Sequence, residues 1–476
     1  MRVAILHYHL RPGGVTRVVE LGVEALTGLG WDPLVVVGEP AAPGCRIEAG
    51  RIRVVPDLAY GGVDDAGLDE GVREACRDYW GADADVLHIH NHSLGKNLSL
   101  PAAVARWSAE GRPMALQMHD FAENGRPSNY RLLAGNGRLE RTLYPEGGSQ
   151  VLVVLSSFAA NKLKFCGADP VILPNPVVLP GNPEPVKPEV FGADSLVVYP
   201  TRAIRRKNIG EFLLYSLAAR EGEKYLLTSA PLAGADRAIY EHWRQFATEA
   251  GLPVVFDAAA RAGRPVYDFL PSARVCVTTS VEEGFGMAFL EPWAAGSGVV
   301  GRDLPGVTDD FRRAGLDLGS LTAACPVPAA WIDRARFRQV IEQSVGHALE
   351  AYGLADRETA VRLAEEAVFF GNSADFGRLD EVEQQRVIRH MLAGNGVPPG
   401  LAEVDSGTVA HNASSIRKNY SLAAYGKQLA SLYGRCLSRS GPACGFLDAG
   451  LVLKEFLNFA DFFALRVGEQ GLIHPG

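Results

Sequence analysis

The chain has 476 residues, 47% of them hydrophobic, which is too long for one ordinary domain and enough to fill two or three cores. Its 47 Lys and Arg against 55 Asp and Glu leave a formal charge of −8, so no global basic field points to nucleic acid, though a local basic patch can coexist with an acidic total. Seven scattered cysteines without CxxC spacing argue against a disulfide framework or a zinc site and suit reduced thiols.

The opening MRVAILH reads as a strand and not as a charged-then-apolar leader, and no apolar run is long enough to span a bilayer. A cytoplasmic protein is expected. After Val3–His7, Gly13 and Gly14 precede Val15, Val18, Val19, Gly22 and Leu26 at helical spacing, a strand–loop–helix unit with its glycine pair at the helix start. Short strands at Pro33–Val37 and Ile52–Val55 follow, with a helix near Leu68–Tyr79.

Asp85–His92 alternates so that His88, His90 and His92 share one face of a strand. Three histidines at period two invite a metal reading; no carboxylate or cysteine of matching spacing lies nearby, and polar packing or a cleft-lining His90 are the other readings. Strand Met114–Met118 ends in His119-Asp120 and a loop, Phe121–Arg141, whose Arg126, Arg131, Arg138 and Arg141 suit either an anionic group or solvent. Val151–Leu155, a helix capped by Ser156-Ser157 and Val171–Leu173 complete the first sheet, and the proline-rich stretch Pro174–Glu189 reads as a linker.

Leu196–Tyr199 opens a second alternating series of five strands. Arg202 and Lys207, five apart, flank a turn before a helix with Ile209, Phe212 and Leu213 on its apolar side. Lys224–Thr228, Val254–Phe256 and Val275–Thr279 continue the series as strands. Glu282–Gly286 then reads as a glycine-bearing turn and Met287–Ala295 as a helix ended by Gly296. Glycines at 284 and 286 let backbone N–H groups approach a ligand, and a helix start suits a phosphate. In such doubly wound sheets ligands bind beyond the strands' carboxyl ends, where all these residues lie.

Ser280 to Glu291, with Glu283-Gly284-Phe285-Gly286 and a second glutamate eight positions after the first, resembles the signature of family-four retaining glycosyltransferases. Pro174-Asn175 resembles the family's Pro-Asn-Gly, with Pro176 in place of the glycine. The resemblance implies an α/β, GT-B fold of two Rossmann-like domains facing across a cleft, with a C-terminal helix crossing back. The expected domains are an acceptor-side domain over 1–181 and a nucleotide-sugar domain over 182–412 with a helical insertion at about 353–404. Helices over 413–476 are expected to return to the first domain.

The resemblance also implies roles. His119, Arg202, Lys207 and Glu283 are the expected catalytic residues; Gly13, Gly14, Gly284, Phe285, Gly286 and Glu291 bind the donor; His90 and Asp120 lie on the acceptor side. The expected activity is metal-independent, retaining transfer of a hexose from a nucleoside diphosphate sugar to an acceptor hydroxyl, with no cofactor. A GT-B sugar phosphorylase or sugar-nucleotide epimerase would reuse the same phosphate site, a non-catalytic scaffold would be expected to lose members of the set, and two solvated glutamates are the plain reading of the motif. The tail, with Phe456, Phe459 and Phe463 in an apolar stripe, suits burial against the body or a second copy of the chain, with peripheral membrane contact left open.

Overall fold

The computed structural model describes residues 1–139, 142–181, 183–232 and 234–466; Arg141 of the expected acceptor loop, Asn182 of the linker and residues 467–476 of the tail lie outside them. The chain forms two compact units: Met1–Pro176 with Tyr420–Leu457, and Val177–Asn419 with the chain from Asn458. The expected boundaries at 181 and 412 therefore fall at 176 and 419, and Asn458–Arg466 belongs to the second unit.

Unit 1 is built on strands β1 (Val3–His7), β2 (Leu34–Val37), β3 (Ile52–Val54), β4 (Val86–His90), β5 (Met114–Met118), β7 (Gln150–Val154) and β8 (Val171–Ile172), after the two-residue β6 (Pro145–Glu146). They form one parallel sheet in the order β3-β2-β1-β4-β5-β7-β8. The central strands are buried along their whole length, as a parallel sheet covered by helices on both faces requires. Helix Gly14–Gly28 buries Val18, Val19, Gly22 and Leu26 in the same core as Tyr425, Leu429, Leu432 and Tyr433 of helix Leu422–Ser438.

Unit 2 repeats the plan with β9 (Ser195–Arg202), β10 (Glu223–Ser229), β11 (Val254–Val255), β12 (Val275–Thr278), β13 (Val299–Arg302) and β14 (Leu321–Thr322), ordered β11-β10-β9-β12-β13-β14 and all parallel. The sheet has six strands and not five, the four located in the sequence being joined by β13 and by the two-residue edge strand β14. The region expected as a helical insertion at about 353–404 also contains strands β16 (Phe369–Phe370) and β17 (Ser373–Asp375), which form a small antiparallel sheet with β15 (Pro326–Pro328) among helices Arg334–Tyr352, Arg357–Val368 and Glu381–Leu392. In unit 1, β18 (Gly445–Phe446) pairs with β6.

Three further expectations are corrected. The loop after His119 contains a helix, Pro127–Gly135, started by a proline whose missing N–H costs nothing in a first turn. The expected closing helix is two helices, Ser406–Asn419 and Leu422–Ser438, the second capped by Ser421, whose hydroxyl accepts from Ala424 N at 3.3 Å. The stretch expected as one helix over 287–295 is a 3-10 turn, Met287–Phe289, and a short helix, Glu291–Ala294. Pro292 has no N–H to donate one turn back and its ring blocks that carbonyl, so a helix restarts there and does not run through. A helix of that length carries little macrodipole, which removes the expected helix-start contribution to phosphate binding.

Candidate active site

In unit 2, β9 ends at Arg202, and the chain turns through Arg205–Lys207 to Asn208, whose left-handed backbone (φ 51°) aims it into helix Ile209–Ser216. This basic turn is fastened to the end of β12. The Lys207 carbonyl accepts from the Tyr199 hydroxyl at 3.1 Å and the Thr279 hydroxyl at 2.9 Å, and the Arg206 carbonyl accepts from Val281 N at 3.0 Å. The same stitching brings Lys207 Nζ onto Glu283 Oε1 in a close ion pair, both side chains about nine-tenths buried. Arg206 faces Glu282 at 3.8 Å, while Arg202 is exposed and forms no ion pair among the described residues.

Burial alone would push the Glu283 carboxyl up. The charges of Lys207 and Arg206 and hydrogen bonds from Lys207 and Ser280 outweigh it and hold the carboxyl below its ordinary range. Glu283 is therefore an anion at neutral pH, held against the Lys207 ammonium.

Gly286 sits at φ 92°, and a Cβ there would come within 2.7 Å of Val307 Cγ1, so only glycine fits on both counts. Gly284 lies in the same turn. Phe285 packs edge-on against Phe311, with ring centroids 5.6 Å apart, in the core behind the turn. Glu291 opens the short helix, its Oε1 accepting from the Tyr267 hydroxyl at 3.2 Å.

Behind the basic turn lies a layer of buried polar groups. Arg302, at the end of β13, bridges Glu211 at 2.6 Å and Asp375 at 2.7 Å. Glu211 accepts from Asn208 Nδ2 at 2.7 Å, and Asn208 Oδ1 accepts from Gln384 Nε2 at 2.9 Å. The strained Asn208 is thus held on both ends of its amide.

In unit 1, the ends of β4 and β5 carry a stack of histidines. His90 Nδ1 lies 2.8 Å from His119 Nε2, and the rings of His88 and His90 stack at 4.5 Å. His88 Nε2 donates to Gln117 Oε1 at 2.9 Å, leaving Nδ1 to accept from the Tyr433 hydroxyl at 2.8 Å. His92 leaves the shared face, because Asn91 at φ 57° turns the chain, and it donates instead to the Leu143 carbonyl. Burial lowers His88, His92 and His119 to about 4 and His7 to about 3, so all are neutral at pH 7. Among the described residues no three His, Cys, Asp or Glu side chains are gathered so as to hold a metal ion.

Asp120 pairs with Arg126 at 2.6 Å, so that arginine is directed first to its own loop. Arg131 is exposed on the Pro127–Gly135 helix and Arg138 is partly buried. Gly13 caps the start of helix Gly14–Gly28, and both glycines are exposed beyond the end of β1.

Residues 13–176 match the family model of the glycosyl transferase 4-like domain. A mannosylglucosyl-3-phosphoglycerate synthase of Petrotoga mobilis is 26% identical over 339 residues, a match covering 65% of this chain and 66% of that protein, just short of two thirds of its length. Among solved structures, the sucrose-phosphate synthase of Thermosynechococcus elongatus aligns with a TM-score of 0.51 at 15% identity, covering 92% of this chain and 99% of that one. Anabaena HepE, solved with UDP and glucose, aligns with a TM-score of 0.51 at 13% identity, over 91% of this chain and 99% of that one. The catalytic domain of starch synthase IV of Arabidopsis thaliana, bound to ADP and acarbose, aligns with a TM-score of 0.51 at 12% identity over 92% and 99%. Residues 13–176 thus resemble a glycosyl transferase 4-like domain, and the chain has the GT-B fold of these solved structures.

Unit 2 gathers Lys207 and Glu283 in direct contact and carries Glu291 on the helix that follows their turn; unit 1 gathers His90, His119 and Asp120. Sequence reading missed Tyr267, which orients Glu291 from 24 residues away, and Asn91, whose Oδ1 accepts from His119 N at 2.7 Å and Asp120 N at 3.2 Å. It also missed Glu123, fully buried against the Tyr144 hydroxyl at 3.1 Å, its carboxyl pushed up by burial to about 7. Asn91 lay in view inside HIHNH, at the strand end where the chain must turn.

Proposed function

We propose that this chain is a glycosyltransferase that moves a hexose from a nucleoside diphosphate sugar to an acceptor hydroxyl, retaining the anomeric configuration and needing neither divalent metal nor cofactor. The observation that carries the reading is the Lys207–Glu283 pair at the carboxyl end of the unit 2 sheet, with exposed Arg202 at the end of β9. As the glycosidic bond breaks, the leaving diphosphate gains charge, which fixed cations stabilise without a metal. Lys207 turns from Glu283 to the diphosphate, and Glu283 is released to accept from sugar hydroxyls. Glu291, oriented by Tyr267, accepts from the ribose hydroxyls.

The reading is supported by structural relatives solved with UDP and glucose or with ADP and acarbose. The Petrotoga relative is named for a product containing phosphoglycerate, so a phosphorylated, anionic acceptor is the class to test first. His90, His119 and Asp120 would face it, with Arg131 and Arg138 of the following loop as candidates to meet its charge.

The deciding experiment is thermal denaturation of the full chain in EDTA with UDP, ADP and GDP, each against its nucleoside, since a ligand bound only by the native state raises the melting temperature. One diphosphate should stabilise the chain and its nucleoside much less. No stabilisation by any of them, or stabilisation only after manganese or magnesium is restored, overturns the reading.

A further inference from the structure

The basic turn carries three cations in a row, and each has its own carboxylate: Lys207 with Glu283, Arg206 with Glu282, and Arg205 with Glu381. The first two acids lie in the EGFG turn, next to the proposed donor. Glu381 does not. It opens helix Glu381–Leu392, in the region that sequence alone reads as a helical insertion.

Arg205 grips Glu381 with both arms of its guanidinium, Nε to Oε1 at 3.0 Å and Nη2 to Oε2 at 3.2 Å, and its backbone N donates to Asp236 Oδ1 at 2.8 Å. Glu381 is then closed from the other side by Arg466, which also donates to the Leu379 carbonyl; Glu381 is 2% exposed and Arg466 4%. The chain around Arg466 is itself docked within unit 2. The Arg378 guanidinium covers the Phe463 ring at 4.0 Å and donates to the Ala460 carbonyl at 3.3 Å, and the Ser344 hydroxyl donates to the Ala464 carbonyl at 2.8 Å. A bidentate guanidinium–carboxylate pair in a buried setting fixes direction as well as distance.

We propose that Glu381 and Arg466 are positioning residues of the donor site: the C-terminal segment clamps Glu381, Glu381 holds Arg205, and Arg205 sets the turn that presents Lys207 to the diphosphate. Arg205 is on this account a strut and not a phosphate ligand, because both arms of its guanidinium are held by a carboxylate that Arg466 also fixes. The insertion and the C-terminal segment thereby enter the chemistry, although neither supplies a group to the substrate.

The inference rests on the nucleotide-sugar reading above, and one set of variants separates the two. In the full chain, Glu381→Gln leaves two buried guanidiniums facing a neutral amide, and Arg466→Met removes the clamp with little change in volume. Affinities are measured for whichever of UDP, ADP or GDP the wild type binds, and for the matching nucleoside by competition. Glu381→Gln should weaken the diphosphate about tenfold or more and the nucleoside less than about twofold, Arg466→Met should move both in the same sense, and Arg466→Lys should recover most of the loss. A merely structural role would weaken nucleoside and diphosphate alike. Equal losses, or no loss in Arg466→Met, overturn the proposal, and the Arg466 pair decides it should Glu381→Gln fail to fold. A wild type that binds no diphosphate fails the underlying reading; a wild type that binds, with Lys207→Ala weakened and the Glu381 and Arg466 variants unaffected, fails this inference alone.

Discussion

At the scale of single residues, the Lys207–Glu283 pair is held ready without ligand, each group compensating the other where neither would be stable alone. Lys207→Ala should weaken nucleoside diphosphate binding by about 1.5–3 kcal/mol, the worth of a charge-assisted hydrogen bond to phosphate, as read by calorimetry. The same variant has a pH signature. In the wild type the Glu283 carboxyl is depressed below its ordinary value of 4.5, so its contribution to stability is present above that value and lost as pH falls through the depressed one. Without the lysine, burial dominates and the carboxyl rises, so the acid limb of thermal stability should move to higher pH. An unmoved limb would mean that the lysine does not govern this carboxylate.

Glu291 makes a separable prediction. Glu291→Ala should raise the dissociation constant of a ribonucleoside diphosphate and leave the dideoxy analogue nearly unchanged, since the carboxylate's proposed work is to accept from the ribose hydroxyls. Tyr267→Phe removes one hydrogen bond to Glu291 and should show the same selectivity at a smaller size, about 0.5–1.5 kcal/mol. Equal losses for both analogues would place Glu291 elsewhere in the chemistry.

At the scale of elements, the corner after β12 depends on one backbone position. Gly286→Ala meets both a left-handed φ of 92° and a Val307 methyl 2.7 Å from the new Cβ. It should cost about 1–3 kcal/mol and lower the melting temperature. A variant as stable as the wild type would show that the corner yields.

The strand ends of unit 1 answer to pH in the opposite chemical sense from an ordinary histidine switch. His7, His88 and His119 are buried and neutral, with folded values near 3 to 4 against an ordinary 6.5. A depressed histidine stabilises the fold above its unfolded value and loses that contribution as pH falls from there toward the folded value, about 1.4 kcal/mol per pH unit for each group. Melting temperature should therefore drop steadily between about pH 6.5 and 4, and His88→Gln should reduce the slope by about one proton's worth. A flat profile across that range would mean that these histidines take up protons in the folded chain.

For the whole molecule, the stereochemical outcome tests the reaction class. An inverting transferase needs a base opposite the leaving group, whereas in a retaining one the leaving phosphate can take the acceptor's proton on the same face. On the proposed reading the buried, neutral His119, tied to His90, orients the sugar and does not titrate near neutral pH. An α-linked donor should give an α-linked first product by proton NMR; a β-linked one would restore His119 or Glu283 as general base.

The sequence by itself determined the two alternating strand–helix series and the place of Lys207, Glu283, Glu291, His90 and His119 at strand ends or just beyond them. Strand and helix periods are local, and a motif's spacing survives in the primary order. The stretch after Gly286 departs from its period at one residue, Pro292, and β13 to β18 were not marked, five of them being only two or three residues long and carrying no period of their own. Only the tertiary structure decided which partner each charged group takes. Arg205 and Glu381 lie 176 positions apart, Arg302 and Asp375 73, and Glu381 and Arg466 85, and over such separations attraction between opposite charges has no preferred register until the sheet and its helices bring particular ends together. For the same reason the apolar stripe near the C-terminus looked like one surface but divides, Phe456 stacking on Phe121 in unit 1 while Phe459 and Phe463 pack in unit 2, because burial of a phenyl ring is rewarded by any adequate core and the local pattern does not say which.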